Sequence, residues 1–298
     1  KPDYLEKERP VLFNNWEATM FDFNQRKLLK LAKKAKTLGI ELFVLDDGWF
    51  GKRNDDNSSL GDWFVNKKKL PLGINKLAQK INNLGMDFGI WVEPEMVNQD
   101  SLLYQEHPDW AIKHPSFNPS LGRNQLILDL SKQEVVDYLY DVLAKLFKEN
   151  NIKYCKWDMN RNFSDLYSTG LDAKNQGKLT HSYYLGLYNL LERLTHDFPD
   201  VLFESCASGG NRFDLGMLYY MPQIWTSDNT DAHSRFLIQS GTYFGYSQSV
   251  MGNHVSDIPS AQVIRKTPLE TRFNISAFGL LGYELDITHL TPFETKVI

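Results

Sequence analysis

Cysteine is scarce in this sequence of 298 residues: Cys155 and Cys206 are the only two. A disulfide framework is therefore not what holds the chain together, and two thiols on separate segments make no zinc pair. So low a count favours a reducing compartment, and a cytoplasmic location is the expectation. None of the seven histidines falls into His-x-His or His-Glu-x-x-His, the spacings that put two imidazoles on one metal. No Gly-x-Gly-x-x-Gly or Gly-Lys-Ser/Thr follows Gly209-Gly210, so a phosphate loop is not indicated there; a tight turn that lets backbone approach a ligand is the better reading. Excess positive charge is also missing. With 33 basic and 37 acidic residues the formal net charge is −4, which excludes a broad field for nucleic acid or anionic lipid. The one dense basic run, Lys67-Lys68-Lys69, reads as a solvated loop. There is no signal peptide and no apolar run near the length of a membrane span. The chain starts at Lys1 rather than methionine and stops at Ile298 just after an apparent element, so it reads as a piece of a longer protein.

What is present is core-forming material, 42% hydrophobic and 13% aromatic, enough for a single α/β barrel of roughly 250 residues. Residues 1–298 read as one domain, with no internal repeat, low-complexity tract or linker. Short β-rich runs alternate with segments of helical period. The expected strands are Val11–Trp16, Leu42–Asp47, Asp87–Glu93, Leu126–Leu130, Tyr154–Asp158, Leu202–Cys206, Gln223–Asp228 and Ser247–Gly252. Between them, Leu28, Leu31, Ala32, Ala35 and Leu38 repeat at helical spacing after an Asn24 cap, with Gly39 placed to end the helix. Ser131-Lys132-Gln133-Glu134 has the capping-box pattern ahead of the stripe Val135, Leu139, Leu143, Leu146. Tyr184, Leu187, Leu191 and Leu194 form a similar stripe. Eight strands with interleaved helices predict a (β/α)8 TIM barrel.

In such a barrel chemistry sits at the C-terminal ends of the strands, and those ends carry carboxylates and tryptophans: Trp16, Asp46-Asp47-Gly48-Trp49, Trp91-Val92-Glu93, Lys156-Trp157-Asp158, Glu204-Ser205-Cys206 and Trp225-Thr226-Ser227-Asp228. Flat apolar rings suit the C–H faces of a pyranose and carboxylates suit its hydroxyls. Glycosidic cleavage adds a need for one ionised and one protonated carboxyl, and Asp158 and Asp228, on different strands, could flank a bond over the mouth. Lys156 and Asp158 are two apart and share a strand face, which predicts a cation beside Asp158 that favours its ionised form. Cys155 faces the other way, so no Cys155–Cys206 disulfide is expected. Each residue alone has a plainer reading: an aspartate can cap the next helix, and a tryptophan can be core. Asp46, Asp47, Glu93 and Glu95 could also give an oxygen-rich metal cage, although no metal or other cofactor is expected.

Five ordered motifs then resemble glycoside hydrolase family 36 α-galactosidases: Asn14-Asn15-Trp16-Glu17, Leu45-Asp46-Asp47-Gly48-Trp49-Phe50, Gly89-Ile90-Trp91-Val92-Glu93-Pro94-Glu95-Met96, Lys156-Trp157-Asp158-Met159-Asn160-Arg161 and Ser227-Asp228-Asn229-Thr230-Asp231-Ala232. The resemblance implies Asp158 as nucleophile and Asp228 as acid/base of a retaining double displacement on terminal α-galactosyl residues. It implies Asp46 and Asp47 on galactose hydroxyls, Trp16 and Trp91 walling the ring, and Arg123, Lys156, Cys206 and Gly209 completing the pocket. In Cys206-Ala207-Ser208-Gly209-Gly210-Asn211-Arg212, Ser208 and Asn211 depart from the longer glycine run of many relatives. It also implies an α-galactoside oligosaccharide as partner, a large β-rich domain before the barrel, a small β domain after it, and a tetramer. An α-N-acetylgalactosaminidase, a raffinose-type galactosyl transferase, a sugar-binding module without catalysis and a metal-dependent lyase are the competing readings.

Overall fold

The computed structural model describes residues 7–298. Its strands are β1 (Leu12–Asn14), β2 (Leu42–Leu45), β3 (Asp87–Val92), β4 (Met96–Asn98), β5 (Gln125–Ile127), β6 (Tyr154–Trp157), β7 (Leu202–Ser205), β8 (Gln223–Trp225), β9 (Met251–Ser256) and β10 (Leu280–Glu284). Eight of them close a barrel in the order β1-β10-β9-β8-β7-β6-β3-β2, every pair parallel. The expected fold class is what forms.

Its membership differs from expectation at one stave. The Leu126–Leu130 segment supplies β5, which pairs antiparallel with β4 in a separate two-stranded sheet between β3 and β6. Leu126, Ile127, Leu128 and Leu130 are all buried, so the segment has the composition of a barrel strand, and pattern alone cannot tell which partner it takes. The eighth stave is β10, whose Gly282 weakens its strand signal. A Cβ on Gly282 would lie 2.4 Å from Cδ2 of His254 on β9, so this glycine makes room for that ring inside the barrel. The last expected strand is also shifted. Ser247 caps a short 3-10 turn at Gln248–Val250, and β9 begins only at Met251.

Helices surround the barrel as their periodicity requires. In Gln25–Thr37 the buried residues include Leu28, Leu31, Ala32 and Ala35, and the Asn24 side chain accepts from Lys27 N at 3.0 Å, a cap that stabilises by about 1 kcal/mol. Gly39, at φ +80°, follows its end. The stripe Val135, Leu139, Leu143, Leu146 is buried on Gln133–Asn150, but the capping box does not form there. Lys132 takes the N-cap position without a side-chain bond, because the Ser131 hydroxyl is occupied with Asp129 Oδ1 at 2.5 Å. No helix among the described residues is long and apolar enough to cross a membrane.

The barrel interior changes character along its axis. Leu12, Leu42, Val44, Tyr154 and Leu202 form an apolar plug apart from the main core. Strand residues two apart share a face, so the same inward rows continue upward as Leu12 to Asn14 to Trp16, Val44 to Asp46, Tyr154 to Lys156 to Asp158, and Leu202 to Glu204 to Cys206. Hydrocarbon closes the bottom of the barrel and polar groups open its top. Cys155, on the opposite parity, lies in the outer core with Phe203, and both cysteines are free thiols.

Candidate active site

A cavity of about 180 Å³ at the C-terminal ends of the strands is lined by Trp16, Asp46, Asp47, Trp91, Arg123, Lys156, Asp158 and Asp228, together with Glu17, Asn160, Trp225, Thr230 and Glu284 among others. The sequence-predicted residues converge there, except Cys206 and Gly209. Those two do not line it; Gly209 N donates to Cys206 Sγ at 3.4 Å. Gly209 sits at φ +85°, and a Cβ on it would meet Ser227 Cα at 2.5 Å, so it lets the Cys206 turn press against the Asp228 loop.

β2 ends at Leu45, and this frees both Asp46 and Asp47 to reach the cavity instead of alternating across a sheet. Asp46 Oδ2 accepts from Lys156 Nζ at 3.0 Å and from Asn14 Nδ2 at 2.6 Å. Asp47 is gripped by Arg53, Nη2 to Oδ2 at 2.8 Å and Nε to Oδ1 at 3.0 Å. Burial raises the Asp47 pKa, and Arg53 opposes that shift. Lys69 lies beneath this turn and donates to the carbonyls of Gly48 and Arg53, both at 2.9 Å. That corrects the solvated-loop reading for the third lysine of the run: only Lys67 and Lys68 are exposed. Apolar spacing carries no sign of a buried ammonium, which is set by two backbone carbonyls from a distant turn.

Lys156 departs from expectation in its partner. Burial alone would lower its pKa, yet Asp46 above all, with Glu284 and Asp158 contributing, raises it well above the lysine range. The cation is therefore fixed on Asp46, and Asp158 feels it at longer reach. Asp158 instead receives Trp91 Nε1 at 3.1 Å and Met159 N at 2.9 Å. Asp228 Oδ1 accepts from Trp225 Nε1 at 3.0 Å, and its pKa is raised, first by burial and then by Asp158. One carboxylate accepting hydrogen bonds beside a second carboxyl held towards its protonated form is the division of labour that acid-assisted displacement requires.

The remaining carboxyls are individually committed. Glu93 Oε1 accepts from Asn160 N at 2.7 Å, and burial with Asp158 pushes its pKa up to about 8. Glu95 takes Arg212 on both oxygens, at 2.8 and 2.9 Å, and Trp157 Nε1 at 2.7 Å. Among the described residues no three His, Cys, Asp or Glu gather as a metal cage, so the four carboxylates considered for one do not converge. Arg123 stands at the mouth with φ +52° and faces Asp56 at 3.5 Å.

Sequence reasoning missed Glu17, Asn160, Trp225, Thr230 and Glu284, among others, as pocket residues. Glu284 ends the unrecognised stave β10; burial pushes its pKa up to about 8, and its Oε2 lies 2.8 Å from His254 Nδ1. Burial takes His254 down to about 3, so this contact is a neutral hydrogen bond rather than an ion pair. Trp225 was visible as a strand-end ring, and Glu17 as the last residue of the Asn-Asn-Trp-Glu motif. Neither had a partner that spacing could supply.

Fold and site together define a (β/α)8 barrel with a carboxylate-and-tryptophan pocket at its catalytic face. The comparisons name the family: the Melibiase family model matches residues 1–298, and the chain belongs to the melibiase family. It is 52% identical over 298 residues to "Alpha-galactosidase 1" of Pediococcus pentosaceus, covering 100% of this chain and 41% of that protein. The crystal structure of the α-galactosidase from Lactobacillus brevis superposes with a TM-score of 0.98 at 55% identity over 99% of this chain and 40% of that one. Two variants of the family 36 α-galactosidase AgaA from Geobacillus stearothermophilus superpose with a TM-score of 0.96 at 52% identity over 98% of this chain and 40% and 41% of theirs. One carries an Asp→Asn change and holds raffinose; the other carries an Asp→Ala change and holds stachyose. The chain thus spans about two fifths of the length of these relatives.

Proposed function

We propose that this barrel is the catalytic domain of a retaining α-galactosidase acting on terminal α-galactosyl residues of raffinose-type oligosaccharides. The observation that carries the reading is the pairing in one cavity of Asp158, with two donors on its oxygens, and Asp228, whose carboxyl is held towards its protonated form. The relatives support it. In AgaA the two aspartates replaced in the raffinose and stachyose complexes are separated along the chain by the same number of residues as Asp158 and Asp228 here. Asp158 attacks the anomeric carbon while the bond to the leaving oxygen breaks and Asp228 gives that oxygen its proton. A galactosyl ester on Asp158 results. Asp228, now a carboxylate, takes a proton from water; the water oxygen attacks the same carbon and releases Asp158 with net retention. Asp46, Asp47 and Lys156 bind sugar hydroxyls, Trp16 and Trp91 wall the ring, Arg123 closes the mouth, and Cys206 and Gly209 support the floor. Flanking β-rich domains and a tetrameric assembly belong to the same reading, in keeping with the share of the relatives' length that the barrel spans.

The deciding experiment is incubation with an activated 2-fluoro-α-galactoside and mapping of the modified peptide by mass spectrometry. A single ester on Asp158 is expected, and labelling at any other residue rejects the assignment. For Asp228→Ala, kcat/KM on raffinose should fall by roughly 10²–10⁴, the range of general acid catalysis. An aryl galactoside with a good leaving group needs little protonation and should lose far less. Equal losses on the two substrates would remove Asp228 from the acid role.

A further inference from the structure

Glu17 occupies the cavity wall beside Trp16, on the four-residue helix Trp16–Thr19 that follows β1. Its two oxygens both face the Asp228 side of the barrel. The Thr230 hydroxyl donates to Oε1, and the backbone N–H of Asp257, just past β9, donates to Oε2 at 2.9 Å. Thr230 is buried and lies two residues beyond Asp228. Its carbonyl accepts from Ser256 Oγ at 3.0 Å, and Asp231 beside it caps the next helix at Ser234 N, 3.0 Å, while pairing with Arg265 at 2.8 Å. Upstream, Trp225 Nε1 holds Asp228 itself. The segment from Trp225 to Asp231 is thus fixed at its two ends by its own strand and helix, and at Thr230 by a carboxyl from across the barrel closure. Glu17 ties the platform under the sugar ring to the segment that carries the proton donor.

We propose that Glu17 is a positioning residue for Asp228: through Thr230 it sets where the acid/base carboxyl stands relative to the ring seated on Trp16. This inference rests on the assignment of Asp228 as acid/base. Burial and the neighbouring Glu284 push the Glu17 pKa up to about 8. Asp257, Arg235 and Arg272 are the other charged groups that sense it, from the segment after β9, from the helix between β8 and β9 and from the helix after β9. At neutral pH the brace is therefore an uncharged carboxyl. It can anchor Thr230 without adding a full negative charge next to the two catalytic aspartates, which a bare carboxylate would do.

The test compares Glu17→Gln, Glu17→Ala and Thr230→Val in the whole protein. Each is assayed on raffinose and on an aryl galactoside with a good leaving group, alongside covalent trapping by the 2-fluoro galactoside. Glu17→Ala and Thr230→Val are expected to lower kcat on raffinose by roughly 10- to 100-fold with little change in KM, a fraction of what loss of the acid itself brings. The aryl substrate should lose several-fold less. Glu17→Gln, which keeps an acceptor for Thr230, should recover most of the raffinose rate, and the double variant Glu17→Ala with Thr230→Val should be no slower than the worse single one. A merely structural role predicts the same fractional loss on both substrates, in step with the trapped fraction, and that result overturns the proposal; so do additive losses. Absence of trapping at Asp158 in the unsubstituted protein would instead reject the underlying enzyme assignment, which keeps the two failures distinct.

Discussion

Asp158→Gly should stop steady turnover, with kcat lowered on the order of 10⁴-fold or more, while the protein stays folded. Its oxygens meet Trp91 Nε1 and the Met159 amide at the cavity wall, so removal leaves donors that water in the cavity can reach. What disappears is the atom that, on the proposed assignment, bonds to the anomeric carbon. Neighbouring carboxyls respond as well. Asp158 contributes to the raised pKa of both Asp228 and Glu93, so without it each shifts back towards the ordinary carboxylate range. Asp228 then holds its proton less firmly, and at neutral pH the residual rate falls further for substrates with poor leaving groups. Added azide can enter the space the carboxylate filled and attack the same face. The expected product is a galactosyl azide of configuration opposite to the substrate, detected by NMR, with rate rising in proportion to azide. Steady hydrolysis by Asp158→Gly without azide would mean that another group is the nucleophile.

Most of the site was legible in sequence because strand parity does much of the work. Leu42, Val44 and Asp46, or Tyr154, Lys156 and Asp158, read directly as inward rows, and the cavity lies where those rows end. Legibility failed where a property belongs to a partner rather than to a pattern. Leu126–Leu130 has the burial of a stave but pairs with Met96–Asn98, whereas Leu280–Glu284 is a stave disguised by a glycine that His254 requires. Losing that strand hid Glu284. Lys156 was placed correctly on the face of Asp158, but the ion pair it makes is with Asp46, a choice set by the separation of two strands that no spacing encodes. Lys69 shows the same limit: its neighbours in sequence are exposed lysines, and its partners are carbonyls of the Asp47–Arg53 turn. The roles proposed for the individual residues came from the family motifs, and the supporting contacts came only from the fold.

Arg212→Met should be the most destabilising single change near the site, costing about 3–5 kcal/mol, the range for removing one partner of a buried ion pair. Glu95 is fully buried, and Arg212 is the cation that satisfies both its oxygens, at 2.8 and 2.9 Å. Trp157 Nε1 and the Tyr183 hydroxyl complete the shell, so the pair sits directly behind the strand that presents Lys156 and Asp158. Methionine would fill the volume without its charge, leaving a buried carboxyl without its cation. For a chain of this size the loss corresponds to a fall in Tm on the order of 10 °C at neutral pH. The pH dependence has a definite sign. In the unsubstituted protein Arg212 overcomes the effect of burial and holds the Glu95 pKa below its ordinary value, so this pair contributes stability above the unfolded carboxylate pKa and loses it as pH falls through the folded one. In the variant the main opposition to burial is gone and only the Trp157 and Tyr183 hydrogen bonds still favour the carboxylate, so Glu95 is driven towards its protonated form, which costs free energy at neutral pH and nothing once the unfolded carboxyl is protonated too. The gap in Tm between the two proteins should therefore narrow steadily from pH 7 towards pH 4. Glu95→Leu added to Arg212→Met removes the stranded carboxyl and should recover part of the loss, though not all of it, because Trp157 and Tyr183 are then left without their acceptor. Thermal melts of the three proteins across that pH range check the whole sequence of effects. A single variant that melts within about 2 °C of the parent at pH 7 would show that Glu95 finds water or another donor, and that the strand behind Asp158 does not depend on Arg212.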